Sequence, residues 1–271
     1  MNQTATSIEY MVVAASREIA DGNLLMVGTQ WPMLAAMLAK RTHAPDCVMA
    51  FEGGIIYDQL PSRTPLLTVD PCYLSNALFC GGTLDTMGAL LHGGRVDLAF
   101  IPAANVDRYG NVNTTYRFDD SGRPIRMSGG SGGACDFASL ASKLIIMMEH
   151  DKRRFQEKLE YITSPGYLDG YDSRLKAGLR PGTGPWAMYT TLGRFKFDSK
   201  TKEMYLDGFF QGVTVEQVKE NTGWDLKVSP TVEEIAPPTA EDIRILREVI
   251  DPLGMWSDNL RIKWRTQPTQ A

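Results

Sequence analysis

The first 55 residues alternate helical and extended hydrophobic patterns, and this alternation restricts the possible folds more than any other feature of the sequence. Apolar residues recur at helical spacing over Ile8–Ile19, and a second helix is expected from Pro32 to Lys40. Short apolar runs at Leu24–Val27 and Val48–Phe51 predict buried strands. Short links between such elements favour an α/β fold with a mostly parallel central sheet flanked by helices.

The rest of the chain extends this pattern and adds an antiparallel part. Apolar runs predict buried strands at 96–101 and 144–148, and turn-forming residues at 107–111 are expected to lead back into a strand. A capping box at Thr214–Gln217 opens one further helix, and another is expected over 241–250. An antiparallel meander is expected near the C-terminal part. Its strands are predicted at 186–192, 194–197 and 203–210.

A single domain is expected over residues 1–256, followed by a polar C-terminal tail at residues 257–271. No repeat, low-complexity tract or long linker divides the chain. With 271 residues, 43% of them hydrophobic, the chain is long enough to bury one large core.

Charge and composition exclude several classes of function. The net charge of -4 gives no indication of a positively charged surface that would bind nucleic acid. The four cysteines form no CxxC pair, and the three histidines form no metal-binding pattern, so we expect no metal site. No apolar run approaches the ~20 residues that a membrane span needs. With a polar N-terminus and with Cys47 and Cys135 expected to be buried thiols, we predict a cytoplasmic protein.

The buried run Cys47–Phe51 ends at a carboxylate, Glu52, which is followed by Gly53 and Gly54. Burying a carboxylate there is costly unless it has partners or a chemical role. Glycines let a backbone or a ligand approach closely, and ligands of open α/β sheets bind beyond the carboxyl ends of strands. We therefore interpret Glu52 as a covalent nucleophile, although the spacing alone favours a residue that caps or turns the chain.

A second candidate lies at residues 127–136, where four glycines fall within five positions before a helix expected at Phe137–Lys143. Consecutive backbone N–H groups at a helix N-terminus provide a site for an anion or oxyanion. Neither a Walker loop nor a GxGxxG pattern is present. A flexible linker is the alternative interpretation, and we favour contact with a ligand.

Several separate stretches together resemble one family, the class I CoA-transferases. Phe51–Gly54 is similar to the glutamate motif of that family, and Val106–Asn113 is similar to its V-D-x-x-G-N-x-N segment. Gly132–Asp136 and Ile146–His150 are similar to its G-G-A-x-D and M-E-H segments. Each motif is weak by itself, but by their order and spacing the chain is identified as a member of the family over about residues 7–252. Further matching stretches lie at 152–155, 161–167 and 218–223.

The resemblance implies a NagB/RpiA/CoA-transferase-like fold and the role of a β subunit. Such a subunit works with an α subunit on a separate chain, as a heterodimer, an α2β2 assembly or a larger one. Glu52 would attack an acyl-CoA and pass CoA, held as a glutamyl thioester, to a second carboxylic acid. The acyl-CoA is a substrate and no cofactor is permanently bound; glutaconate or a related dicarboxylic or short acid is the first expected substrate. The residues expected to bind substrate or CoA, or to stabilise oxyanions, are Gly53, Gly54, Asn105, Gly130, Ser131, Gly132, Gly133 and Ala134.

Gly53 departs from the family motif, which usually has Ser, Asn or Ala there, and its missing side chain would widen the pocket for a bulkier acyl group. Relatives with this fold whose glutamate motif is lost or altered act as hydrolases or decarboxylases on CoA thioesters. Two alternatives therefore stay open. In the first, the chain is a hydrolase, a ring-cleaving enzyme or a decarboxylating enzyme that acts on a larger CoA thioester, with Glu52 as general base for water or carbon chemistry. In the second, it is only a structural partner of the α subunit.

Overall fold

The computed structural model describes residues 4–61, 63–65, 70–127 and 129–256, and the predicted tail at 257–271 lies outside them. Fifteen strands form in this part of the chain. They are β1 (Leu24–Val27), β2 (Val48–Ala50), β3 (Ile55–Tyr57), β4 (Phe79–Cys80), β5 (Leu98–Pro102), β6 (Asn105–Asp107), β7 (Val112–Asn113), β8 (Tyr116–Phe118), β9 (Pro124–Arg126), β10 (Lys143–Met148), β11 (Phe155–Gln156), β12 (Pro185–Thr190), β13 (Gly193–Phe197), β14 (Met204–Phe209) and β15 (Lys227–Glu234).

Six α-helices are described, with one 3-10 turn and two π-helical segments between or after them. The helices are α1 (Ser7–Ser16), α2 (Trp31–Arg41), α3 (Ala134–Leu140), α4 (Ser173–Lys176), α5 (Val215–Glu220) and α6 (Ala240–Arg244). The 3-10 turn is Pro71–Leu74, and the π-helical segments are Leu84–His92 and Ile245–Ile250.

Ten of the strands form one sheet in the order β15–β14–β13–β12–β10–β5–β1–β2–β3–β4. Its five central strands, β12, β10, β5, β1 and β2, are parallel, which confirms the predicted class of fold. The predicted meander is also confirmed, because β12, β13 and β14 pair antiparallel at one side of the sheet. At the other side, β3 and β4 add a second antiparallel part that the sequence did not predict.

Side chains of the parallel strands alternate between the two faces of the sheet, as the pleat of a strand requires. Leu25, Val27, Leu98 and Phe100 face one core, which α1 and α2 cover together with the segment Ile245–Ile250. Met26, Ala50, Ala99 and Ile101 face a second core, which contains residues of α3 and α5 and of the segment Leu84–His92. The molecule therefore has three layers, and the two cores explain why these strands are apolar without interruption.

The helix after the glycine-rich run begins earlier than predicted. We expected Phe137–Lys143, whereas α3 spans Ala134–Leu140 and Lys143 starts β10 by pairing with Leu98. Gly133 is the cap residue of α3, and its carbonyl accepts the first helical hydrogen bond from Phe137. The glycine-rich run is thereby placed directly at the start of a helix, one turn closer than the sequence indicated.

Candidate active site

Glu52 lies at the tip of a β-hairpin that connects the parallel strand β2 to the antiparallel strand β3. The N–H of Phe51 donates to the carbonyl of Ile55 at 3.0 Å, and the N–H of Gly54 donates to the carbonyl of Phe51 at 3.1 Å. These bonds close a three-residue loop, Glu52–Gly54, of the kind that ends on a residue in the left-handed region. Gly54 has φ +93°, so a glycine is required there by the turn itself.

Gly54 is also pressed against the glycine pair Gly81–Gly82, which follows β4. A Cβ at Gly54 would lie 2.4 Å from the carbonyl oxygen of Gly81 and 2.5 Å from the carbonyl carbon of Gly82. The N–H of Gly81 donates to the carbonyl of Gly54 at 2.8 Å. The expected close approach at this glycine is therefore made by the protein's own backbone, which fixes the loop that carries Glu52.

The glycine-rich run meets Glu52 through its last two residues. The N–H of Gly133 donates to Oε2 of Glu52 at 2.8 Å. A Cβ at Gly133 would lie 2.6 Å from that same oxygen, 2.9 Å from Cε of Met87 and 3.2 Å from the ring of Phe137. A Cβ at Gly132 would lie 3.7 Å from Oε2 of Glu52, without overlap. The carboxylate thus lies against bare backbone, at a position where any side chain on Gly133 would displace it.

The other predicted site residues are distributed around this contact. Gly53 is half-buried in the loop beside Glu52. The N–H of Ala134 donates to the carbonyl of Ser131 at 2.9 Å, so it is used within the loop. The carbonyl of Gly130 accepts from Oγ1 of Thr114 at 2.9 Å. Asn105 lies at the start of β6, where its Nδ2 donates to the carbonyl of Arg153 at 3.4 Å, and it lines a neighbouring cleft.

This cleft, of about 440 Å³, lies beyond the carboxyl ends of β1, β5 and β10. The chain leaves β1 toward β2 on one side, and β5 lies on the other, so the cleft is at the switch point where ligands of open α/β sheets bind. Its lining residues are Gln30, Trp31, Pro102, Ala103, Ala104, Asn105, Met127, Glu149, Arg154, Met255 and Trp256. The sequence analysis proposed only Asn105 of these. Gln30, with φ +66°, lies in the bend after β1, just beyond Gly28 and Thr29, where the sequence predicts a turn.

A second cleft of about 540 Å³ shares Pro102, Ala103, Ala104 and Met127 with the first one. Arg117, Arg126 and Gly129 also line it. In the first cleft, Arg154 pairs with Glu149 at 3.1 Å. Three arginines therefore line the joined clefts, and the glycine-rich run connects them to Glu52, since Gly129 lines the second cleft and Gly133 holds the carboxylate.

His150 follows Glu149 in the sequence, but its surroundings are those of a structural residue. Its ring stacks on Phe155 with a centroid distance of 4.1 Å, and Nδ1 lies 3.1 Å from Oγ1 of Thr190. Burial lowers the pKa of His150 to about 4, which keeps the ring neutral at physiological pH. Cys135 is half-buried rather than buried, whereas Cys47 is buried and burial raises its pKa to about 11. Among the described residues, no cluster of three or more histidine, cysteine or acidic side chains is placed to hold a metal ion.

The described helices include none long and apolar enough to cross a membrane.

Comparison with known protein families shows which family the chain belongs to. The coenzyme A transferase profile matches residues 8–221. The chain belongs to the coenzyme A transferase family. The resemblance inferred from the sequence motifs is therefore confirmed, and the chain is a transferase of that family.

Two relatives match this family member over most of their length. The B subunit of glutaconate CoA-transferase from Acidaminococcus fermentans is 41% identical over 254 residues, which cover 91% of this chain and 93% of the relative. The B subunit of 3-oxoadipate CoA-transferase from Pseudomonas knackmussii is 38% identical over 239 residues, covering 88% and 91%. The crystal structure of glutaconate coenzyme A-transferase from A. fermentans superposes with a TM-score of 0.86 at 37% identity, covering 94% of this chain and 98% of that chain.

Proposed function

We propose that this chain is the B subunit of a heteromeric CoA-transferase in which Glu52 is the covalent nucleophile. The observation that carries the proposal is the contact between Oε2 of Glu52 and the N–H of Gly133, at 2.8 Å. It holds a carboxylate at a hairpin tip, against two glycines that present bare backbone to it. Family membership and the two B-subunit relatives support the same assignment.

The reaction runs in two symmetrical halves. A carboxylate oxygen of Glu52 attacks the thioester carbon of an acyl-CoA, the C–S bond breaks, and CoA leaves as a thiolate while the acyl group stays on Glu52 as a mixed anhydride. The thiolate then attacks the glutamyl carbonyl, which releases the first acid and leaves a glutamyl-CoA thioester. A second carboxylic acid repeats these steps in reverse and takes the CoA away, so the thioester energy is conserved throughout.

A dicarboxylic acid is the substrate class that this proposal favours. Glutaconate and 3-oxoadipate, after which the two relatives are named, are both dicarboxylic acids. Arg117 and Arg126 line the second cleft and offer guanidinium groups for a carboxylate that does not react. Apolar residues of the joined clefts, such as Trp31 and Met127, fit the carbon chain between two carboxylates.

The test is to trap the intermediate on the chain co-expressed with its partner subunit. With glutaconyl-CoA or 3-oxoadipyl-CoA present, hydroxylamine should convert Glu52 to a hydroxamate, and borohydride should reduce the glutamyl thioester. Peptide mass spectrometry should map both changes to the peptide that contains Glu52, and free CoA alone should give neither. Turnover without any adduct on Glu52 would favour the general-base hydrolase instead, and adducts only with monocarboxylic acyl-CoAs would contradict the substrate class.

The partner subunit is proposed to cover the apolar segment next to the hairpin. Leu74, Leu78, Phe79 and Leu84 are 62%, 60%, 42% and 84% exposed, and they fall within eleven residues of chain. Phe79 belongs to β4, which pairs with β3 and forms the edge of the sheet. An exposed apolar segment on a strand edge is a liability for a free chain and is typical of a surface that another subunit covers.

A charge in this segment should therefore break the assembly. We expect Leu84→Asp to lose most of the partner subunit during co-purification, because an unpaired carboxylate would be buried in an apolar contact. Leu175→Asp is the matched control, since Leu175 is 52% exposed and lies in α4, outside this segment. Light scattering of both variants reports the result. A Leu84→Asp variant that assembles as the control does would exclude this segment as the surface that the partner subunit covers. A chain that is fully active without any partner would exclude a heteromeric enzyme.

A further inference from the structure

Arg174 is a buried cation whose role the site described above does not explain. The residue is 3% exposed, and burial lowers its pKa to about 10. Its guanidinium donates to four backbone carbonyls and to the hydroxyl of Thr183. Within the described part of the chain, its Nε is left without a hydrogen-bond partner. Burying a guanidinium against neutral acceptors costs free energy. The segments that this guanidinium holds together therefore indicate its role.

On one side Arg174 holds the C-terminal end of α3. Its Nη2 donates to the carbonyl of Ala138 at 2.6 Å and to that of Ser139 at 3.3 Å. The opposite end of the same short helix is Gly133, whose N–H holds Oε2 of Glu52. A helix of this length is only about 10 Å long and stiff, so a shift at the Arg174 end moves the Gly133 end with it.

On the other side Arg174 holds the loop at 165–168. Its Nη1 donates to the carbonyls of Pro165 at 3.1 Å and Gly166 at 2.8 Å. This loop is itself fixed by Asn111, whose Oδ1 accepts from the N–H of Gly166 at 2.8 Å and from that of Leu168 at 3.0 Å.

Asn111 is oriented in turn by a buried carboxylate. Its Nδ2 donates to Asp107 at 2.9 Å and to the carbonyl of Leu168 at 2.8 Å. Asp107 is 3% exposed, and its Oδ1 also accepts from the N–H groups of Tyr109 and Asn111. Gly166 is required for this packing, because a Cβ there would lie 2.3 Å from the carbonyl carbon of Gly110. The side-chain amide of Asn111 thus holds the loop in place, and Asp107 orients that amide.

We propose that Arg174 is a positioning residue that ties α3 to the loop fixed by Asp107 and Asn111, and thereby sets the N–H of Gly133 against Glu52. The proposal rests on Glu52 being the nucleophile, as proposed above. It gives the segments around 106–113 and 161–167 a shared role, although neither has a hydrogen bond to Glu52 among the contacts described. Misplacement of the carboxylate by about 1 Å is enough to slow attack about 10²-fold.

The test compares Arg174→Met with Arg174→Lys in the complex with the partner subunit. Methionine keeps the length of the side chain and removes all of its hydrogen-bond donors. We therefore expect kcat, counted per active site in which Glu52 forms an adduct, to fall about 10²-fold with KM unchanged. Lysine keeps the charge with fewer and differently directed donors, so its loss of kcat should be smaller than that of methionine.

Arg194→Met is the matched control. Arg194 is a half-buried arginine of β13 whose Nε donates to Asp207 at 2.6 Å, and the bond does not involve α3. It should keep kcat and KM unchanged whatever its melting temperature. Normal kcat and KM in the methionine variant, or in the lysine variant where methionine prevents folding, would overturn the proposal. Because kcat is counted per Glu52 that forms an adduct, partial unfolding cannot imitate the effect, and if methionine prevents folding the lysine variant decides. Absence of any adduct on the wild-type chain would instead refute the nucleophile assignment.

Discussion

Replacement of Glu52 by alanine or by glutamine is expected to abolish CoA transfer. Glutamine is the sharper change, because its amide oxygen still accepts from the N–H of Gly133 while the nucleophilic carboxylate is gone. Fixing the carboxylate beside a substrate carbonyl is worth about 7–11 kcal/mol of the barrier, so no other group replaces it. Steady-state transfer between two acyl-CoA and acid pairs, together with the hydroxylamine trap, measures the loss.

Glu52→Asp keeps the carboxylate but changes its position, so it tests how strongly the rate depends on that position. The shorter side chain withdraws the attacking oxygen by about 1 Å or more, and a displacement of that size costs about 10²-fold in rate. Glu157→Gln is the control, because Glu157 has a side chain that is 65% exposed and pairs with Arg108. Transfer by Glu52→Gln at more than a trace of the wild-type rate would rule out covalent catalysis by this residue.

The second large effect is expected at Gly133, the residue that donates to Glu52. In Gly133→Ala the new methyl group would lie 2.6 Å from Oε2 and 2.9 Å from Cε of Met87, so the carboxylate has to move. Displacement of an attacking oxygen by about 1 Å typically costs about 10²-fold in rate, and we expect at least that loss in kcat. Gly133→Val should be more severe because its branched side chain fills more of the same space. Transfer kinetics of the assembled complex would show it.

Two other glycines provide graded controls for this prediction. A Cβ at Gly88 meets no atom within 4 Å, so Gly88→Ala should leave kcat unchanged while making the same chemical substitution. Gly132→Ala should fall between the two, because its Cβ would be 3.7 Å from Oε2 but its φ of +47° costs about 1–3 kcal/mol of backbone strain. Equal activity of the three alanine variants would show that the Gly133 contact does not matter for the reaction.

The class of fold was predictable because its central strands are buried on both faces and are therefore continuously apolar. β3 and β4 were missed, since each has only two or three residues and the segment of chain between them contains three prolines. β15 was missed for another reason. It is an edge strand with no buried residue, so its sequence Lys227–Glu234 has none of the alternation by which a half-buried strand is recognised.

The site was predictable only where the chemistry is carried by neighbouring residues. Glu52 and the glycine-rich run were identified separately, each from a local pattern. Their hydrogen bond joins positions 81 residues apart, and nothing in either pattern states that distance. Gln30 and Trp31 were missed because they line a cleft only through the order of strands in the sheet. The turn at Asp107–Asn111 was predicted, whereas its hold on Gly166 depends on residues far along the chain.

The three-residue loop that carries Glu52 constrains how this family member can change. One residue inserted between Phe51 and Ile55 would shift the register of β3 by one position, so that Tyr57 and Ile56 would exchange the two faces of the sheet. Tyr57, now wholly buried, would leave one core, and the contact of Gly54 with Gly81 would be lost. The length of this loop is therefore held constant by the packing of the strand that follows it.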